Sequence, residues 1–419
     1  MVNRPALGVT GKPSPVGTAR KQRRRRASAA LVVLSLGTLA ACGDDEQASG
    51  DGSDYVLHVI GPFSASATLP TPFPEIETGA KAAAKAINDA GGVNGHQITV
   101  VGCDTKAEPN EATKCAQAAV EDEAIAVVGA FDFKGDYMAV LERAEIPVLA
   151  PFAQAVELTS PLSYPVNGGS PTLLAGEISV LAGNGARNIS FVAPSAAVEG
   201  DDLSALWAPV IDYFPGLEAE LIAVPPETTD LSAIAEKASK GDALGIALQA
   251  GQFVPFMQSF NQTAGDVTLR GTDTNSLDAA TIKTVGDGVE GFLAASNYMP
   301  ATTEGNDAVD DFNAAIDSID PDTPRNDFTV VGYLGVELFA QAADGLDEVS
   351  NVTLRESLDS GTAFDLGLTP PVSFTEPSDA IEGATRVFNT AVVYVELKDG
   401  QFVPIDGQFV DAYSGQPVS

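Results

Sequence analysis

Residues 55–102, YVLHVIGPFSASATLPTPFPEIETGAKAAAKAINDAGGVNGHQITVVG, decide how the rest of the chain is read. Tyr55 to Ile60 is a short β-branched run and reads as a strand. Glu75 to Asp89 is Ala-rich with a helical period, and Gly91-Gly92-Val93-Asn94-Gly95 stops that helix and turns the chain. Gln97 to Gly102 is the next strand. Two strands with a helix between them call for a right-handed crossover, so both lie parallel in one sheet.

Downstream the rhythm continues. Asn110 to Val120 reads as a helix, Ala124 to Gly129 as a strand, Asp136 to Ala144 as a helix and Pro147 to Ala150 as a strand. It then restarts with helix Leu173 to Leu181, strand Asn188 to Ala193, helix Leu203 to Tyr213 and strand Ala219 to Val224. Helix Leu231 to Ser239, strand Leu244 to Leu248, helix Phe253 to Thr263 and strand Val267 to Gly271 complete this half. The expected fold class is therefore α/β, with two doubly wound parallel-sheet lobes. Helical patterns follow at Ala308 to Ile319 and Val330 to Ala343, then β-rich Arg386 to Leu397 and Gln401 to Ile405. A β-rich tail cannot continue a βα series, so it must add to an existing sheet.

Upstream, Leu31 to Cys42 reads LVVLSLGTLAAC behind the basic run Arg23 to Arg26. A basic segment, a short apolar stretch and small residues before a cysteine resemble a bacterial lipobox, and the stretch is too short to span a bilayer as a stable helix. Residues 1–41 are expected to be a lipoprotein signal peptide and Cys42 the lipidated first mature residue. An ordinary signal peptide or an apolar helix ending in Cys is the alternative. Residues 42–54 have almost nothing apolar to bury and read as a flexible tether. The expected place is the outer face of the cell membrane, held by the lipid.

Of the 23 Lys and Arg, eight precede Cys42, and none of the 57 Asp and Glu does, so the chain from Cys42 onward carries 15 basic residues and a net charge of −42. Such a surface repels nucleic acid and anionic membrane, which excludes nucleic acid as a partner. The charges are dispersed among apolar residues, as in a folded, self-repelling monomer rather than an acidic tail. Two cysteines remain, Cys103 and Cys115. In an exported protein an even remainder points to a disulfide. Free thiols or a metal pair are the alternatives, although the spacing is not CxxC and only His58 and His96 are available as nitrogen partners.

The ordered series Ile60-Gly61-Pro62-Phe63-Ser64, Gly79-Ala80, Ala86-Ile87-Asn88, Gly91 to Gly95, Asp104, Pro109, Ala112, Ala126-Val127-Val128-Gly129 and Ile146-Pro147-Val148 resembles the type I periplasmic binding proteins. The resemblance is to the leucine/isoleucine/valine-type substrate-binding proteins of ABC importers. Asp230-Leu231-Ser232-Ala233 and Gly288-Val289-Glu290-Gly291 sit where later motifs of that family fall. The Cys103 and Cys115 pair also looks like a disulfide of relatives. What this implies is two lobes joined by three crossover segments near Val166, Ser296 and Pro371, with ligand held in the cleft and the lobes closing over it. The N-terminal lobe would hold residues 55–166 and 297–370, and the C-terminal lobe 167–296 and 371–419. In open α/β sheets ligands sit at the carboxyl ends of the strands, which agrees.

The candidate ligand residues follow from those strand ends. Phe63, Ser64 and Phe73 belong to the loop after the first strand. Phe131, Asp132 and Phe133 stand where amino-acid-binding relatives carry serines for the ligand carboxylate, and offer ring faces and an anion instead. Phe152, Ala153 and Gln154 occupy the next loop, where Gln154 would replace a threonine. In the second half, Ala193 to Gly200 lacks the tyrosine of relatives. Asp273 aligns with an acid that balances a ligand ammonium, or else is a helix N-cap carboxylate. Gln252, Phe253 and Tyr298 complete the expected lining. The resemblance implies an importer receptor for an amino acid or related small polar solute, partnered by permease subunits. A sensor of the same fold that signals to a membrane partner is the alternative.

Catalysis finds no footing in the sequence. There is no GxSxG elbow, no HExxH and no P-loop, and the glycine clusters at Gly91 to Gly95 and Gly183 to Gly185 follow helices instead of opening them. Neither an enzyme nor a cofactor or metal site is expected.

Overall fold

A computed structural model describes residues 54–66, 69, 71–195, 203–263, 267–277 and 279–418. The lipobox, Cys42 and the tether up to residue 53 lie outside the described residues, as does the 196–200 part of the second-half motif.

The first half runs β1 (Tyr55–Gly61), α1 (Glu75–Asp89), β2 (Ile98–Asp104), α2 (Pro109–Glu121), β3 (Ala126–Val128), α3 (Met138–Ala144), β4 (Val148–Leu149) and β5 (Ser163–Tyr164). Its five strands lie in the order β2-β1-β3-β4-β5, all parallel. The second half runs α4 (Gly169–Gly183), β6 (Asn188–Pro194), α5 (Leu203–Tyr213), β7 (Glu218–Val224), α6 (Ser232–Ala238), β8 (Ala243–Ile246), α7 (Ala250–Thr263), β9 (Leu269–Thr272), α8 (Ala279–Val285) and β10 (Leu293–Ser296). Three helices then return to the first half: α9 (Asp307–Asp317), α10 (Asp327–Ala343) and α11 (Asn351–Leu358). The hairpin β11 (Ala391–Lys398) and β12 (Gln401–Asp411) ends the chain.

The second sheet is ordered β12-β11-β10-β9-β8-β6-β7. The β-rich tail thus adds to an existing sheet, but β11 runs antiparallel to β10 and β12 antiparallel to β11, so this sheet is mixed rather than purely parallel. A hairpin turn at Asp399 and Gly400, both with positive φ, makes that direction unavoidable. The sequence reading also passed over the two-residue β5, the short β10 and the helices α8 and α11.

The first core forms where α1 crosses α10. The Ala-rich face of α1 buries Ile76, Ala80, Ala83 and Ala84, and α10 is buried almost all round, as its continuous apolar sequence requires. Glycines allow the contact: a Cβ on Gly79 would fall 2.1 Å from the Thr329 carbonyl oxygen, and one on Gly332 would fall 1.9 Å from that of Ile76. Cys103 on β2 and Cys115 on α2 form a disulfide with Cα atoms 5.5 Å apart, as expected.

The chain passes between the halves before α4, after β10 and before β11, and each passage carries an asparagine. Asn297 Nδ2 donates to the Gly169 carbonyl at 3.1 Å, and Thr172 Oγ1 donates to Asn297 Oδ1 at 2.9 Å. Asn389 Nδ2 donates to the Val166 carbonyl at 3.1 Å, and Asn167 Oδ1 accepts from the Gly169 N–H at 2.9 Å. Much of the segment 371–388 packs on the first half, where Phe374 stacks edge-on with Tyr164 and the Thr385 and Arg386 N–H groups donate to the Leu158 carbonyl, while Ala380 and Ile381 meet the second half's core.

Candidate ligand-binding cavity

Strand order reverses at β1 and β3 in the first sheet and at β6 and β8 in the second, which frees the carboxyl ends there for a ligand. A cavity of about 870 Å³ takes its lining from both halves, beside the start of α1 and the segments after β9 and β10 rather than at the ends of β3, β6 and β8. Phe73 and Glu75 come from the start of α1, Thr274 and Asn275 from the loop after β9, and Tyr298 and Met299 from the passage after β10. Asp327 and Phe328 come from the first turn of α10, and Phe402 from the terminal hairpin.

The phenylalanines gather on the first half. Phe131, at the end of β3, meets Phe73 at 5.5 Å, Phe152 at 5.5 Å, Phe133 at 4.9 Å and Phe328 at 5.1 Å between ring centres. Phe73 lies 4.2 Å from Phe328. Phe131 and Phe152 are buried supports, Phe133 is 46% exposed, and Phe73 and Phe328 form the part of the cluster that reaches the cavity.

Tyr298 apart, the other residues expected from the sequence are engaged with their own surroundings and do not line the cavity. Ser64 is held by Asp104: its hydroxyl and N–H, with the Phe63 N–H, all donate to that carboxylate at the end of β2. Asp132 is buried and accepts from the Lys134 N–H at 3.0 Å, and burial raises its pKa. Gln154 Nε2 donates to Ser170 Oγ at 3.1 Å, which ties the loop containing Ala153 to the first passage. Asp273 caps its own loop, accepting from the N–H groups of Asn275 at 2.9 Å and Ser276 at 3.0 Å and from the Ser276 hydroxyl. Gln252 donates to the Pro225 carbonyl at 3.2 Å, and Phe253 is fully buried in the second half's core against Phe292. Of the expected lining, Phe73 and Tyr298 meet the cavity directly, and Phe253 is withdrawn from it because the apolar face of α7 turns it into the core.

Sequence reasoning passed over Glu75, Asp327, Phe328, Met299 and Phe402. A signal for Asp327 existed in Asn326-Asp327 opening a long apolar run, since Asn326 caps α10 by accepting from the Thr329 N–H at 3.1 Å. Asn326 also donates to Glu75 Oε1 at 2.9 Å, which fixes the starts of α1 and α10 to each other.

The electrostatics of the lining are one-sided. Burial, with the charge of Asp273 added and Asn275 and Thr274 opposing, pushes the Asp327 carboxyl up to about 7. Burial raises Glu75 as well. Behind Asp273, burial and the Asp273 charge push Glu177 well up, and its Oε1 accepts from the Ile246 N–H at 2.8 Å. Asp320 and Asp322 add to the rim. Arg325 is the basic lining residue among those described, and its guanidinium already donates to Asp317 and to the Pro321 and Thr323 carbonyls. Four polar atoms on lining residues, Thr274 Oγ1, Asn275 Oδ1, Tyr298 OH and Asp327 Oδ2, are buried without a well-formed hydrogen bond among the described residues, although Thr274 and Asn275 stand close enough to Asp327 to favour its charged form and Asn167 does the same for Tyr298.

A family model described as "Periplasmic binding protein" matches residues 59–400. Among solved structures, an extracellular ligand-binding receptor from Verminephrobacter eiseniae is similar at a TM-score of 0.70 and 18% identity, covering 84% of this chain and 100% of that one. A branched-chain amino acid transporter substrate-binding protein from Streptococcus pneumoniae, in complex with isoleucine, gives 0.67 and 17%, covering 84% and 98%. A fatty acid ABC transporter substrate-binding protein from Thermomonospora curvata gives 0.69 and 15%, covering 88% and 95%. No curated protein matches. Among the described residues no helix is long and apolar enough to cross a membrane.

Proposed function

The chain belongs to the type I periplasmic binding protein family, and from that membership we propose that it is a lipid-anchored extracytoplasmic receptor that captures an amino acid or related small polar solute for an ABC importer. The observation that carries the reading is the cavity of about 870 Å³ lined from both halves, the size range in which proteins enclose small organic ligands. The two halves are its lobes, with the passages at Asn167, Asn297 and Asn389 as the hinge. Ligand entering between them closes them, and the closed form is what the permease recognises. Cys42 carries the lipid, and the polar residues after it form a leash that keeps a monomeric receptor near the membrane.

The test screens the full chain by thermal shift against amino acids, polyamines, betaines, amides, small aromatics and fatty acids, followed by solution scattering with the best ligand. Stabilisation together with a smaller radius of gyration is the expected result, because a ligand that binds only the folded closed form must raise the melting temperature. A chain that no solute in the screen stabilises at millimolar concentration is not a solute receptor of this kind.

A further inference from the structure

We infer that the solute is an organic cation with an apolar body, its positive charge set against Asp327 and Tyr298 and its body against Phe73 and Phe328. This rests on the receptor reading above and names the class of ligand.

The geometry supports the assignment in three steps. First, Asp327 is 5% exposed and Tyr298 2% exposed, both line the cavity, and neither Asp327 Oδ2 nor Tyr298 OH makes a well-formed hydrogen bond among the described residues, the side chains of Thr274 and Asn275 standing near Asp327 and that of Asn167 near Tyr298. A buried carboxyl with a poorly satisfied oxygen is costly unless something supplies a donor or a charge. Asn326 already caps α10, so Asp327 is not needed for that task. Second, Asp273, the acid that the sequence offered as ligand counter-charge, spends its carboxylate on its own loop, which leaves Asp327 as the deeply buried acid of the lining. Third, the remaining lining suits a cation and opposes an anion. Glu75, Asp320 and Asp322 add negative charge, Arg325 is engaged by Asp317 and two carbonyls, and the paired faces of Phe73 and Phe328 accept both positive charge and apolar surface. A ligand carboxylate would meet several acids and no free base.

The test titrates the full chain by calorimetry with choline, phenethylamine and putrescine. The comparison set is 3,3-dimethylbutan-1-ol, the neutral isostere of choline, together with leucine and octanoate. At least one of the three cations is expected to bind more tightly than every member of the comparison set. Asp327→Asn is expected to weaken that cation roughly ten-fold or more, the worth of one charge-assisted hydrogen bond, while its melting temperature without ligand holds or rises because a buried charge is gone. Tyr298→Phe, which keeps the ring, is expected to weaken it less. Tighter binding of leucine, octanoate or the neutral alcohol overturns the cation assignment and leaves the receptor reading standing, as does unchanged cation affinity in a folded Asp327→Asn variant. Absence of binding by all six probes and by the wider solute screen overturns the receptor reading, and the assignment falls with it.

Discussion

The Tyr137 hydroxyl donates to Glu157 Oε1 at 2.6 Å, and this buried pair joins the segment after β3, which carries Asp132, to the segment after β4, which carries Gln154. Burial pushes the Glu157 carboxyl up to about 7, against the hydrogen bonds from Tyr137 and from the Gln154 N–H, with Asp132 adding to the rise. The free-chain value is about 4.3. Between these two values the folded protein holds a proton that the unfolded chain releases, so stability falls as pH rises through that window and levels off above it. Asp327, also raised to about 7, adds to the same slope. Denaturation midpoints measured from acid to neutral pH are expected to fall, and Glu157→Gln to flatten the fall by about one proton's worth. An unaltered slope in that variant would show that Glu157 ionises in the fold as it does in the free chain.

Gly332→Ala sets a methyl group against the Ile76 carbonyl oxygen, 1.9 Å from the position its Cβ would take. The helices cannot approach as they do with that atom present, so a loss of about 1–3 kcal/mol or more is expected in chemical denaturation. Ala substitution at Gly183, whose Cβ meets nothing within 4 Å, serves as the control and is expected to be near neutral.

Replacing Cys103 and Cys115 by serine opens a link across 12 residues between β2 and α2. A loop of that length is worth about 3 kcal/mol. The same loss should follow when the unaltered protein is denatured in a strong reductant, and the doubly substituted chain should then show no further response to reductant.

Asn389→Ala removes donors to the Val166 carbonyl and Thr369 Oγ1 and an acceptor for the Ala391 N–H. Loss of these bonds between two passages is expected to cost about 1–3 kcal/mol. It should also enlarge the radius of gyration of the unliganded protein in solution scattering, since the hinge is then less constrained. A stability loss without any change in radius would assign Asn389 to local packing alone.

How much of this was legible in advance differs between fold and site. Helix α1 could be bounded to the residue because Pro74 precedes it, its alanines keep one period, and Gly91 and Gly92 end it. The two-residue β5 and the four-residue β10 carry no period and gain their identity from neighbours in a sheet. The site was less accessible still. Loops near 73, 274, 298, 327 and 402 are scattered through the sequence, and packing alone makes them one surface. Phe253 reads as the start of a helix and as a residue facing the ligand, yet the apolar face of α7 carries it into the core. Asp327 looked like the polar start of a helix, and only its buried oxygen, without a well-formed hydrogen bond, distinguishes it from one.

The crossing of α1 with α10 joins residues about 250 positions apart, and β10 is flanked on one side by a strand that begins only at Ala391. The face of α1 that meets α10 is covered only once the helix from Asp327 has formed, although α1 also packs on β1 and β2, and the second sheet gains β11 and β12 after its other strands. Long-range contacts of this kind cannot form on a half-made chain. The core between α1 and α10 is therefore a late event in folding, and the long-range contacts that close it set its pace.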